Sequence, residues 1–145
     1  MYYIAFDPGA TTGIAEWEEG RPLWVAQYRI EDLYEFLHRL SQRSSEDSCE
    51  IIVEDYKVRP SVNHAWSDVN PVRVIGAIQF AAWLRKANFH LQQPAIKPVG
   101  YAMAGIEYKP NKKGTHWQDA CAHLAYYLCT KEGMKNAPWL PKDRN

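Results

Sequence analysis

Cysteine is scarce in this chain of 145 residues. Its three thiols, Cys49, Cys121 and Cys129, are an odd number, and no two form a Cys-x-x-Cys pair. That argues against a disulfide-stapled scaffold, and the thiols read as reduced core residues of a cytosolic protein. Long hydrophobic runs are missing as well. No stretch reaches the roughly 18 apolar residues that a membrane span needs, and no basic-then-apolar leader is seen. The expected location is therefore cytoplasmic. Net charge is also absent, with 17 Lys/Arg against 17 Asp/Glu, so no overall surplus draws the chain to a polyanion. The charges are unevenly spread, however. Residues 1–55 hold 4 basic and 12 acidic side chains, and residues 56–145 hold 13 and 5. Such polarity gives one region that repels phosphate and another that attracts it. No internal repeat is seen, and the length leads one to expect a single domain with a full core. The expected division is a domain over 1–131 and an irregular tail over 132–145.

What is present is a set of short apolar runs that end in acidic residues. Tyr2 to Asp7 reads as a buried strand. Gly13 to Trp17 and Pro22 to Arg29 read as two more, joined by a turn at Glu18-Glu19-Gly20-Arg21, so the first three strands form an antiparallel meander. Glu31 to Arg43 carries Leu33, Phe36, Leu37 and Leu40 at helical spacing. Glu50 to Tyr56 is a fourth strand, apolar enough for burial on both faces. Residues 57–70 are a loop, followed by a long helix to about Ala87 with Asn70 as cap and Pro71 in its first turn. On that helix Ile75, Ile78 and Ala82 serve either the core or a dimer seam. Phe89 to Gln92 is a short fifth strand, and 94–114 reads as a basic loop. Thr115 and Gln118 have capping-box spacing and open a last helix that runs to about Lys131, with Gly133 beyond it.

The order β-β-β-α-β-α-β-α is the ribonuclease-H-like arrangement, an α/β fold with helices on both faces of a five-stranded mixed sheet. The helical crossover makes strands four and five parallel to the first. If the first and fourth strands are neighbours, Asp7 and Glu54 come side by side. Alternation puts Glu54 and Asp55 on opposite faces, so only one joins Asp7. Glu54 is favoured and Asp55 is the alternative. His116 and Asp119, three apart, share a helix face that can be aimed at the strand ends. His123 lies on roughly the same stripe and suits packing or support better than direct ligation. Each acid has a plainer explanation alone: a turn-capping Asp, a solvated strand end, or an acid favoured by a helix dipole. Their conjunction is more specific, because three converging carboxylates suit divalent cations and the cleavage of phosphodiesters.

These stretches resemble the RuvC-type Holliday-junction resolvases of the ribonuclease-H-like superfamily, in their short phage form. The likeness rests on Ile4-Ala5-Phe6-Asp7-Pro8-Gly9 with Thr12-Gly13, Ile52-Val53-Glu54, the helix Asn70 to Trp83, Pro94-Ala95-Ile96-Lys97, and His116-Trp117-Gln118-Asp119-Ala120. It implies a homodimeric endonuclease of four-way DNA junctions, in a phage or bacterial cell, with Asp7, Glu54, His116 and Asp119 as metal ligands. Many relatives carry Asp where this chain has His116, and a nitrogen ligand makes Mn2+ attractive beside Mg2+. The implied chemistry is two-ion hydrolysis that leaves a 5′ phosphate. Asp7 would bridge the ions, Glu54 would hold one and Asp119 with His116 the other. Lys97 matches the family's basic residue and would neutralise the scissile phosphate. Tyr56 and Trp66 are candidates to stack on unpaired bases. Lys57, Arg59, Arg73, Lys109, Lys112 and Lys113 are candidates for backbone phosphates.

Three rivals remain at the level of sequence. Asp7-Pro-Gly-Ala-Thr-Thr-Gly also resembles the phosphate loop of actin-like and sugar kinases, but such proteins need a second loop and usually a second domain. A branch-binding protein with a degraded site is supported by His116 and opposed by Asp7, Glu54 and Asp119. A related nuclease of flaps or RNA differs from a resolvase in no residue visible here.

Overall fold

The computed structural model describes residues 1–44, 46–57, 69–109 and 115–142. Five strands, β1 (Tyr2–Asp7), β2 (Thr11–Glu18), β3 (Trp24–Arg29), β4 (Cys49–Glu54) and β5 (Asn88–Gln92), form one sheet in the order β3-β2-β1-β4-β5. The meander β1-β2-β3 is antiparallel, while β4 runs parallel to β1 and β5 parallel to β4. Strand topology therefore follows the expectation. The boundaries differ slightly: β2 starts at Thr11, β3 at Trp24, and β4 stops at Glu54.

Alternation along the strands divides the core in two. Tyr2, Ile4 and Phe6 of β1, with Ile51 and Val53 of β4, meet α1 (Ile30–Gln42) and α2 (Asn70–Arg85). Tyr3 and Ala5, with Ala15, Trp17 and Ile52, meet the helices on the other face. These are α3 (Lys97–Ala104) and α4 (His116–Thr130). Each fully buried aliphatic side chain of this kind contributes about 1.5–3 kcal/mol. Asp7 stands two residues after Ala5, and Glu54 two after Ile52. Both acids thus project toward α3 and α4.

Several local expectations are corrected. Residues 94–114 are not all loop, because Pro94–Ile96 is a 3-10 turn that runs directly into α3. Asn70 lies inside α2, and Val69 takes the cap position without a side-chain bond. Helix α4 does begin after Thr115, but the Thr115 side chain makes no cap. Gln27 of β3 supplies one instead: its Oε1 accepts the Trp117 N–H at 3.2 Å. Ile78 and Ala82 are buried in the core, and the half-buried Ile75 packs against it. Residues 131–142 are irregular yet packed. Ala137 is buried, and the Trp139 indole N–H donates to the Ala104 carbonyl at 3.2 Å. Cys49 and Cys121 are buried free thiols and Cys129 is half-buried. No helix among the described residues is long and apolar enough to cross a membrane.

Candidate acidic metal site

The parallel pairing of β1 with β4 puts Phe6 opposite Val53, so the next residues, Asp7 and Glu54, end their strands side by side. Helix α4 adds Asp119 from its first turn. One carboxylate oxygen from each of Asp7, Glu54 and Asp119 lies within 4.8 Å of the others, the one such cluster among the described residues. Asp55 falls outside it and accepts the Gln93 amide at 3.3 Å. Close docking of α4 depends on Gly13, which pairs with Asp7 across β1 and β2. A Cβ on Gly13 would overlap the backbone carbonyl of His116.

Each acid has its own supports. Asp7 Oδ2 is 2.8 Å from His116 Nδ1. Glu54 Oε2 is 2.9 Å from Nε2 of His123, a fully buried ring whose Nδ1 is 2.8 Å from Gln92 Oε1. Both nitrogens of His123 are engaged, which fixes the ring and through it Glu54. Asp119 accepts the Tyr101 hydroxyl through Oδ1. The Lys97 ammonium lies 3.0 Å from both Glu54 Oε2 and Asp119 Oδ2. His116 thus reaches the cluster through Asp7 and is not a member of the oxygen group.

The electrostatics follow from crowding. Burial, joined by the charges of Glu54 and Asp119, pushes the Asp7 carboxyl above the usual carboxylate range, although the His116 bond pulls it down. Burial also acts against ionised Glu54, but the His123 bond and the Lys97 charge outweigh it and hold this acid below its usual value. The Asp7 bond raises the His116 imidazole. Lys97 would be lowered by burial, yet Glu54 and Asp119 keep it well above the ordinary lysine range. Burial and the Asp119 bond raise the Tyr101 phenol.

Hard carboxylate oxygens so grouped fit Mg2+ or Mn2+. The cluster already draws in one ammonium, and Asp7, raised chiefly by burial and further by the charges of Glu54 and Asp119, is a carboxyl whose ionised form a divalent cation would favour. The donor set therefore suits the expected metal.

The chain superposes on RuvC of T. thermophilus in complex with a Holliday junction substrate with a TM-score of 0.57, at 16% identity over 88% of this chain and 92% of that one. A second T. thermophilus RuvC structure gives a TM-score of 0.52 at 17% identity, covering 92% and 97%. The fold is that of RuvC. No family model and no curated protein sequence matches the chain.

The remaining predicted contacts divide by position. Tyr56 is half-buried and Lys57 exposed just past Glu54, Arg73 is exposed on the first turn of α2, and Lys109 is exposed after α3. Arg59, Trp66, Lys112 and Lys113 lie outside the described residues. Sequence reasoning missed Tyr101, whose signal was readable. Pro98 and Gly105 bracket an eight-residue helix in the usual proline-first, glycine-last order, and Gly105 adopts the left-handed φ of 71°. On such a helix Lys97 and Tyr101 are four apart and share a face.

Proposed function

We propose that the protein is a divalent-metal-dependent endonuclease that cuts branched DNA, with the four-way junction as substrate. The observation that carries this is the meeting of Asp7, Glu54 and Asp119, from β1, β4 and α4, within 4.8 Å. Asp7, Glu54 and Asp119 would hold Mg2+ or Mn2+, two ions in the expected arrangement, with His116 as a nitrogen ligand or as a proton holder on Asp7. Such ions, when bound, activate water and stabilise the leaving 3′ oxygen, so that the product carries a 5′ phosphate. The chain's own residues do the rest. His123 and Tyr101 orient Glu54 and Asp119, and Lys97 would neutralise a phosphate at the carboxylates. Tyr56, Lys57, Arg73 and Lys109 are exposed or half-exposed groups available to DNA, and Arg59, Trp66, Lys112 and Lys113 are assigned the same role from the sequence.

A homodimer is the assembly proposed for a symmetric substrate. It draws support from α2 and its cap residue, which leave Val69, Val72, Phe80 and Trp83 exposed along one stripe, with the Phe80 and Trp83 rings stacked at 6.2 Å. Large apolar groups in such a row commonly mark contact surfaces. Incubating the pure protein with a synthetic four-way junction, a flap and a plain duplex in Mg2+ or Mn2+ tests the proposal. Cutting of the junction to 5′-phosphate ends is expected, and Asp7→Asn should bind the junction without cutting it. Cleavage by Asp7→Asn at the wild-type rate would remove the catalytic assignment.

A further inference from the structure

A polar cleft of about 390 Å³ adjoins the acidic cluster: Asp119 belongs to both, and Lys97 and His116, which contact the cluster's carboxylates, also line the cleft. Tyr101, Tyr108, Lys109 and Gln118 also line it. Tyr101 is buried and its hydroxyl is held by Asp119, so its ring is fixed relative to that carboxylate. Tyr108 packs on it with ring centroids 5.0 Å apart and planes at 60°, and remains 39% exposed. An accessible aromatic ring is therefore anchored to the acidic cluster through one intermediate side chain. Lys109 is 54% exposed, and its contact with Glu107 is a loose 3.5 Å pair, which costs little to break.

We infer that this cleft is a subsite for the nucleotide adjoining the scissile phosphate, with Tyr108 as the stacking platform for its base. Gln118 faces the base edge with an amide donor and acceptor, and Lys109 meets the next phosphate. The chemistry selects this occupant. An aromatic face, an amide and a lysine beside a phosphate-cleaving centre match a nucleobase, its edge and its backbone in turn. The identity of the ligand rests on the nuclease reading, whereas the platform itself is geometric. Tyr108 is a positioning residue in this scheme. It touches the strand and leaves the bond-breaking to the carboxylates.

Junctions carrying a single abasic nucleotide, moved position by position around the branch, test the subsite. Binding and cleavage are measured for wild type, Tyr108→Ala and Tyr108→Phe. Stacking of one base implies a loss of roughly 5- to 100-fold in affinity or kcat/KM for Tyr108→Ala on intact DNA. Tyr108→Phe, which keeps the ring, should stay within about threefold of wild type by the same reasoning. At one position the abasic substrate should erase the difference between wild type and Tyr108→Ala. A fluorescent 2-aminopurine at that position should be quenched by wild type and not by Tyr108→Ala. If Tyr108→Ala loses as much on every abasic substrate as on intact DNA, the subsite is refuted. The two readings fail separately. A protein that cuts nothing yet shows the Tyr108-dependent abasic position in binding loses the nuclease assignment and keeps the subsite. One that cuts but ignores Tyr108 does the reverse.

Discussion

Two glutamates bracket the same apolar run of β4, Glu50 before Ile51-Ile52-Val53 and Glu54 after it. Both project to the face covered by α4, and each meets a histidine. Glu50 accepts the Asn88 amide at 2.9 Å through one oxygen and lies 2.6 Å from His90 Nε2 through the other. Its oxygens are satisfied by these partners, and its place is the start of β4, near Tyr127, whose hydroxyl is 3.3 Å from His90. Glu54 has His123 and Lys97, but it also shares its space with Asp7 and Asp119. A carboxylate–histidine contact is thus common to both ends of the strand, and only one end gathers an excess of negative charge. Grouping with two further carboxylates sets Glu54 apart from Glu50.

The largest way to break that contrast is activity. Asp7→Asn should lower junction cleavage at least a thousandfold, roughly the 4 kcal/mol that a lost transition-state contact costs. Glu50→Gln should leave the rate within about threefold, or 0.7 kcal/mol. Comparable losses from both would merge the two ends into one site.

Next comes ligand-linked stability. Saturating Mg2+ or Mn2+ at about a hundred times its dissociation constant should stabilise wild type and Glu50→Gln by ~2.7 kcal/mol in thermal unfolding. Asp7→Asn should gain much less. An equal upshift in all three proteins would place the cation elsewhere.

Without metal the order should cross over. A carboxyl whose folded pKa is raised costs stability once pH exceeds the unfolded value near 3.9, and the cost persists at neutral pH. Asp7→Asn removes that cost and should gain about 1 kcal/mol, whereas Glu50→Gln gives up charge-assisted bonds and should lose about 1–2 kcal/mol. Chemical denaturation at neutral pH decides the matter, and the idea fails if Asp7→Asn is the less stable variant.

The smallest effect is protonic. His116 is raised by Asp7, so its share of stability is fully present below the ordinary histidine value near 6.5 and fades as pH climbs through the raised one. Ring-proton NMR titration should show His116 above 6.5 in wild type and close to it in Asp7→Asn. An unchanged midpoint would disconnect the pair.

Much of this architecture can be read in the chain because period-two alternation is a local signal. Apolar runs and turns marked the five strands, the helical crossover gave their direction, and alternation limited the acid beside Asp7 to one of Glu54 and Asp55. The part that stayed hidden depends on tertiary context. Helix α3 was read as loop because Pro98 and Gly100 break helical periodicity within only eight residues, and Tyr101 and Tyr108 vanished with it. The cap of α4 comes from Gln27, distant in sequence and adjacent only after β3 pairs with β2. His123 is packed, as its stripe on α4 suggested, yet nothing local could name Glu54 and Gln92 as its partners.

Gly13 brings no atom of its own to any of this chemistry. Because the His116 carbonyl fills the place where a methyl group would go, even alanine there would lever the start of α4 outward and carry Asp119 away from Asp7 and Glu54. A mutational scan for lost cutting would then flag this position among the acids, and the cause would be a spacing error of one carbon.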